Sequence, residues 1–466
     1  MSAAAPPVAA QDFDADGIED LVIGSPMATV GMAPQAGMVH LLWGAAAPAP
    51  AASLNLDGAI LGPGIGAGDQ VGGALSWGDY DNDGTLDLAI GSPGAPSAFA
   101  PAVGAVLVAF GPWAGGPAWV MSVLRPGGGV ANDHLGSALA SGDFNNDGFD
   151  DLAVGIPDDD TFAANAGAVI IYYGAAAPFA GWNWVFDPAP VANDRFGTAL
   201  AAGAIDAGAA DDLVVAAPWQ DVGGVADAGT VSMYTGGVGF VVKRTHPGYL
   251  AGDHFGATLA VSNFNGDPYN DLAVGIPDDD VAGLVDAGSV MMLHSNGATL
   301  VLVGRWHQNA GLPNVVEAND HFGAALAAGD VDLDGDDDLI VGVPYEDLAA
   351  GADVGMVHVL RGTAGMGAGG GITGAGTLVR TEPAAARAPD DKFGASVACG
   401  DYQPGGILEI AVGAPEEDYV AGGLADVGRL FLFPNSGAGS VNWLSGAFAG
   451  VAMAANDRFA SVLDQP

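Results

Sequence analysis

The sequence predicts an all-β protein: a seven-bladed β-propeller of four-stranded antiparallel blades, closed by a C-terminal strand that joins the N-terminal blade. Three observations carry that prediction. Three short signals recur seven times in fixed order, each copy opens on a strand of small residues, and the two ends of the chain are offset within one repeat.

The first signal is an Asp-x-Phe-Gly-like turn at Asp69–Gly72, Asp133–Gly136, Asp194–Gly197, Asp253–Gly256, Asp320–Gly323, Asp391–Gly394 and Asp457–Ala460. The second is an Asp-rich loop that runs into Asp-Leu-Ala-Val. The third is a Gly-x-Pro-like turn ending at Pro26, Pro93, Pro157, Pro218, Pro277, Pro344 and Pro415, with successive spacings of 67, 64, 61, 59, 67 and 71 residues. Repetition at such a period means stacked supersecondary units that bury their faces only against one another.

Within 135–186 the pattern gives four strands: 137–142, 152–155, 167–173 and 183–186. A small, Gly-punctuated first strand fits the crowded axis of a propeller, which accounts for Ala138, Ala140, Ala199, Ala201, Ala325 and Ala327. The expected blades are 1–60 plus 452–466, then 67–127, 131–188, 192–246, 251–307, 318–380 and 389–447, all in one domain. The N-terminal segment starts at an Asp-rich loop with no preceding turn, whereas the C-terminal segment stops after a first strand. Together they complete one blade and remove a free sheet edge.

Composition narrows the function. The net charge is −44 with only 11 Lys plus Arg, so nucleic acid and anionic membrane are disfavoured as partners. Asp far outnumbers Glu, which suits turns and oxygen-ligand loops. Cys399 is the only cysteine and reads as a buried apolar filler. Met1–Ala10 lack the basic and apolar regions of a signal peptide, so the chain reads as a mature form, and no 18-residue apolar run exists to span a membrane.

The Asp-rich loops carry the chemistry. Asp-x-Asp-x-Asp-Gly-x-x-Asp occurs at Asp12, Asp14, Asp16, Asp20, at Asp79, Asp81, Asp83, Asp87, and at Asp330, Asp332, Asp334, Asp338. Asp143, Asn145, Asp147, Asp151 differs by one amide. Ca²⁺ takes six to eight oxygens, so positions one, three, five and nine supply side chains. Position seven supplies a carbonyl, from Ile18, Thr85, Phe149 or Asp336. Position twelve is Ile23, Ile90, Val154 or Val341, so these are not EF-hands. Asn263, Asn265, Asp267, Tyr269, Asp271 is a weaker site, with Pro268 in place of Gly. The loops at 204–212 (Asp206, Asp212) and 401–409 (Asp401, Gln403, Gly405, Glu409) read as empty.

The order Phe-Gly, Asp-x-Asn-x-Asp-Gly-x-x-Asp, Gly-x-Pro resembles the FG-GAP repeats of integrin α-subunit propellers and their bacterial relatives, as in Phe255-Gly256 with Pro277 and Phe393-Gly394 with Gly413-Ala414-Pro415. The resemblance implies a seven-bladed propeller, extracellular or cell-surface placement, and a role in adhesion or ligand binding. Integrin α-subunits carry calcium in later blades, whereas the best loops here are in the first three and the sixth. No Asp-x-Ser-x-Ser adhesion motif occurs, so the integrin ligand mode does not carry over.

An enzyme is not expected. His134, His254 and His321 share one repeat position with Gln70, Arg195, Lys392 and Arg458, which suits pairing with acids rather than catalysis. His40, His294 and His358 fall at packing positions, and no nucleophile elbow or zinc helix occurs. Trp182, Trp184, Trp306 and Trp443 read as inter-blade packing. After the Gly-x-Pro turn, five blades carry acidic hairpins: Asp158–Asp160, Gln220-Asp221, Asp278–Asp280, Glu346-Asp347 and Glu416–Asp418. These read as solubilising turns or as a contact arc. The expected function is a calcium-binding adhesion or ligand-binding module with a protein or glycan partner at the propeller rim. The alternatives are a self-assembling fibre or surface layer, and the non-catalytic propeller of a phospholipase-like enzyme.

Overall fold

In the computed structural model the described residues are 12–44, 53–56, 65–96, 101–113, 117–123, 129–176, 179–237, 239–309, 312, 314–349, 351–363, 372–383, 388–403, 406–418, 426–433, 441–444 and 457–463. Met1–Ala10, part of the expected first and last blades, and the Trp443 side chain lie outside them.

Every regular element among the described residues is a strand, and the strands group into seven four-stranded antiparallel sheets. The first blade is β1 (Leu21–Ser25), β2 (Met38–Leu42) and β3 (Ser53–Leu56), with β28 (Val462–Leu463) beside β1. The others run in chain order. Their inner strands are β4 (Leu75–Gly78), β8 (Leu139–Gly142), β12 (Leu200–Gly203), β16 (Thr258–Ser262), β20 (Ala325–Gly329) and β24 (Ser396–Gly400). Second strands are β5 (Asp87–Ser92), β9 (Asp151–Ile156), β13 (Asp212–Ala217), β17 (Asp271–Ile276), β21 (Asp338–Val343) and β25 (Glu409–Ala414). Third strands are β6 (Ala105–Phe110), β10 (Ala168–Tyr173), β14 (Thr230–Thr235), β18 (Ser289–Ser295), β22 (Met356–Arg361) and β26 (Arg429–Phe433). Fourth strands are β7 (Trp119–Val123), β11 (Gly181–Val185), β15 (Gly239–Arg244), β19 (Leu300–Trp306), β23 (Thr373–Arg380) and β27 (Val441–Leu444).

The closure read from the sequence is present: Ile23 pairs with Leu463 and Gly24 with Val462. The third blade departs from its expected strand limits by only one or two residues at most ends.

The core is a set of layers between blades. Tyr80, Val108 and Phe110 of the second blade pack on Leu152, Val154 and Tyr172 of the third, and corresponding clusters fill the other seams. Leu21, Ile23 and Leu42 meet Ala411, Leu430 and Leu432 with Phe459 and Leu463, so the seventh blade packs against the first. The second strands therefore have neighbours on both faces, and all of β1, β5, β9, β13, β17, β21 and β25 is buried. Such strands read as continuous apolar runs rather than alternating ones.

Two glycine positions explain the repeat signature. Gly167, at φ 80°, precedes β10 and bridges in parallel to Phe196 of the next blade; a Cβ there would lie 2.2 Å from the Phe196 carbonyl oxygen. Gly155, in the Gly-x-Pro signal, lies under the carbonyl of Gly197, where a Cβ would come within 2.1 Å. Neither seam has room for a side chain.

The elements also fix two ends. In the second to seventh blades the Asp-rich loop joins a first strand to a second, and in the first blade it leads into the second strand β1, so the loops share one end of the ring. The Asp-x-Phe-Gly turns and the acidic hairpins share the other.

Candidate metal loops and the opposite rim

In the four full loops the first Asp organises the turn. Asp12 accepts from the Asp16 N–H (3.0 Å) and the Gly17 N–H (2.8 Å). Asp79, Asp143 and Asp330 accept the equivalent pairs at 2.9–3.0 Å. The fifth residue turns on the seventh: Asp16 accepts from Ile18, Asp83 from Thr85, Asp147 from Phe149 and Asp334 from Asp336. Gly17, Gly84, Gly148 and Gly335 have φ of 86–96°, and the fourth residue (Ala15, Asn82, Asn146, Leu333) is also left-handed. In the fifth blade Pro268 cannot take that conformation, and the left-handed residue is Gly266.

These turns gather carboxylates. One oxygen each from Asp12, Asp14 and Asp20, and likewise from Asp79, Asp81 and Asp87, lie within 4.8 Å of one another. Two oxygens on opposite sides of a Ca²⁺ stand about 4.8 Å apart, so both loops fit the ion's donor set. In the third loop Asn145 takes the place of the second carboxylate. In the fifth loop the amides turn partly on the loop itself, Asn263 donating to the Asp267 carbonyl (2.7 Å) and Asn265 to Asp271 (3.4 Å), while Asn263 Oδ1 and Asp271 Oδ2 are buried without a hydrogen-bond partner.

The sixth loop differs from the first three. There the close group is Asp330, Asp332 and Asp334, while Asp338 is engaged elsewhere. Arg361, the last residue of β22, places Nη1 2.6 Å from Asp338 Oδ2 and 3.1 Å from Asp332 Oδ2. By strand register the same position holds Trp43, Phe110 and Tyr173 in the first three blades and His294 in the fifth. The sixth loop thus contains a cation of its own, and among the described residues the first three do not.

The ninth residue has a structural role whether or not the motif is complete. Its carboxylate accepts from the loop's start and from the residue that follows or ends the third strand. The pairs are Asp20 with Phe13 and Gly44, Asp87 with Tyr80 and Gly111, and Asp151 with Phe144 and Gly174. Asp212 of the degenerate fourth loop does the same with Ile205 and Gly236. Burial pushes Asp20 and Asp87 up to about 8, Asp151 to about 7 and Asp212 to about 6. The eighth residue was not singled out by the sequence, yet it ties blades together. Asp150 accepts from the Asp79 N–H (2.8 Å), Asp211 from Asp143 (3.0 Å), Asp337 from Asn263 (3.1 Å) and Glu19 from Asp401 (2.7 Å).

At the opposite rim, the residue after the Gly-x-Pro proline in the last five blades sits between the Asp-x-Phe-Gly "x" residues of its own blade and the next. Asp158 contacts His134 (2.8 Å) and Arg195 (3.1 Å); Asp278 contacts His254 (2.6 Å) and His321 (3.0 Å); Glu416 contacts Lys392 (2.8 Å) and Arg458 (3.1 Å). Aromatic rings fill the alternate places. Trp219 lies against Arg195 and His254, and Tyr345 against His321 and Lys392. The result is an unbroken run of polar, ring–ring and cation–π contacts from the third blade to the first. Burial would raise Asp278, but its hydrogen bonds to His254 and His321 outweigh that and hold it below the usual carboxylate range. Burial likewise works against the His321 imidazolium, and the bond to Asp278 overcomes it and raises His321.

The other hairpin acids are also engaged. Asp159, Asp279 and Glu417, next in sequence, are buried. Asp160, Asp221, Asp280, Asp347 and Asp418 cap the returning turn by accepting from Asn165, Asp227, Asp286, Asp353 and Asp426. The expected pairing of His134, His254 and His321 with acids is seen, and His40, His294 and His358 are buried. Trp184 stacks on Phe186, whereas Trp182 is 56% exposed.

Comparison with known proteins agrees with this architecture. The FG-GAP repeat model matches 7–42, 71–108, 135–172 and 322–360, the blades with full Asp loops. Integrin alpha-PS2 of Drosophila melanogaster is 29% identical over 237 residues, covering 47% of this chain and 15% of that protein. Integrin alpha-V of Gallus gallus is 31% identical over 192 residues (40% and 17%). Phosphatidylinositol-glycan-specific phospholipase D of Bos taurus is 26% identical over 383 residues (75% and 45%). The chain spans less than half the length of these relatives. Among solved structures, the exotype rhamnogalacturonan lyase YesX aligns over 79% of this chain and 73% of its own at 11% identity, with a TM-score of 0.35, too slight a likeness to bear on function. The molecule is therefore a seven-bladed β-propeller carrying FG-GAP repeats. It resembles the propellers of integrin α-subunits. No helix among the described residues is long and apolar enough to cross a membrane.

Proposed function

We propose that this chain is a calcium-stabilised adhesion or ligand-binding module of the extracellular space or cell surface, without catalytic activity of its own. The observation that carries the reading is the contrast between loops. Those of the first two blades gather three carboxylates within 4.8 Å with no Lys or Arg paired to them among the described residues, whereas the sixth brings Arg361. Ca²⁺ is the counter-charge the first two lack, and Asp143, Asn145, Asp147 and Asp151 offer the third blade a similar oxygen set. The Asn263–Asp271 loop is the weakest. Integrin relatives favour a protein ligand, and the partly exposed rim residues Arg195, beside Trp219, and Arg458, beside Glu416, suit a partner's acidic side chains.

Calorimetry with thermal melting tests this. Folded protein should take up Ca²⁺ at the roughly 10⁻⁴–10⁻³ M typical of extracellular modules, and EDTA should lower the Tm because the ion binds only the folded state. Absence of heat and an unchanged Tm would refute it.

A further inference from the structure

Each of the last four blades has a buried polar pocket beneath its hairpin, built from three corresponding positions. These are the second residue after the fourth strand of the preceding blade, the Asp of Asp-x-Phe-Gly, and the second residue after the Gly-x-Pro proline. The fourth blade places Asp187, Asp194 and Gln220 there, and Lys243 pairs with Asp187. In the fifth, His246, Asp253 and Asp279 meet, and Arg305 pairs with Asp279. The sixth answers Glu346 with the amides of Gln308 and Asn314. In the seventh all three positions are acids: Glu382, Asp391 and Glu417, at 0%, 1% and 4% exposure.

We infer that Glu382, Asp391 and Glu417 form a divalent-cation site for a hard ion of the Ca²⁺ or Mn²⁺ class, at the opposite end of the ring from the Asp-rich loops. The three offer oxygens within 4.8 Å of one another, the span of donors around such an ion. Arg429 reaches Glu417 Oε1 at 2.8 Å, and Glu417 Oε2, in a side chain 5% exposed, has no hydrogen-bond partner. With all three ionised, three carboxylates and one guanidinium leave two negative charges in a buried pocket, which one divalent ion cancels. Buried charge left uncompensated is strongly unfavourable. Burial and the neighbouring acids raise both Glu417 and Glu382, and Arg429 offsets this only in part at Glu417.

The rival reading is that the acids share protons and bind nothing. Glu382→Gln separates the two, because it leaves the Arg429–Glu417 pair intact. Ions per chain are counted by native mass spectrometry in Ca²⁺ and in Mn²⁺, and Tm is measured with Ca²⁺ and with EDTA. The site predicts that E382Q holds one ion fewer than the parent. It also predicts a variant that melts below the parent in Ca²⁺ and at or above it in EDTA. An unchanged ion count, with the same Tm difference in both buffers, would overturn it. Asp391→Asn provides a second variant should E382Q fold poorly. D81A, in the second-blade loop, should lose an ion of its own, and its loss should add to that of E382Q. Retention of ions in D81A alone would refute the loop reading and leave this site standing.

Discussion

At the scale of single residues, Arg361 and Asp278 show how little of a site need lie in its motif. Asp330, Asp332, Asp334 and Asp338 match the loop pattern as well as Asp79, Asp81, Asp83 and Asp87 do. Only strand register brings Arg361 under the sixth loop, where its guanidinium holds two of the four carboxylates. Arg361→Met should free Asp332 and Asp338 and tighten Ca²⁺ at that loop by roughly tenfold or more, the equivalent of about 1.4 kcal/mol. Calorimetry on the variant checks this, and an unchanged affinity would contradict it. Asp278 carries a pH signature. Its depressed value gives stability that is present above the ordinary carboxylate value and lost only in strong acid. The raised His321 gives stability that is complete below about 6.5 and lost as pH climbs through its higher folded value. The staple is therefore strongest between about pH 4 and 6.5. The Tm difference between the parent and Asp278→Asn should shrink from pH 6 to pH 8. A constant difference would mean that the histidines contribute no charge.

At the scale of the element, the repeat signature was legible because backbone geometry demands it. Phe196 is buried at a seam, and Gly155 and Gly167 face backbone too closely to carry a Cβ. Gly167→Ala should cost at least about 1–3 kcal/mol from left-handed strain alone, and more from the clash with Phe196. Chemical denaturation measures it. An equal stability would mean that the seam relaxes freely. The loops were legible for the same reason, their spacing being set by which side chains point inward. Their distinction from one another was not. Asp150, Asp211 and Asp337 fall outside the loop pattern and carry no signal in the sequence, yet they tie neighbouring blades, and the ninth-position Asp keeps its two backbone bonds even in the incomplete fourth loop. The acidic hairpins looked like one repeated feature. In three dimensions their successive residues bridge blades, fill a buried pocket and cap a turn, roles that depend on which blade lies alongside.

At the scale of the whole molecule, the ring closes through Val462–Leu463 on β1, as the offset of the repeats implied. Its seams are not equal. The run of rim contacts from His134 to Arg458 skips Met27 and Gly94, which occupy the bridging place in the first two blades. The seam between the second and third blades still has Asp150 across it. Between the first and second blades the bridging residue is Met27, its neighbour is Gln70, and the eighth loop position is Leu86, so none of these positions carries a charge across the seam at either end. One backbone bond recurs at every seam. It runs from Val71 to Ala36, Leu135 to Val103, Phe196 to Ala166, Phe255 to Ala228, Phe322 to Ala287, Phe393 to Val354 and Phe459 to Val427. These amides form a built-in series of reporters on local opening. The Val71 amide should exchange with solvent deuterium soonest of the series, and slower exchange there than at Phe196 or Phe322 would contradict this. A ring with one such fault line parts first between its first two blades, and an axial tug on the molecule would be relieved there while the stapled arc from the third blade onward moves as a unit.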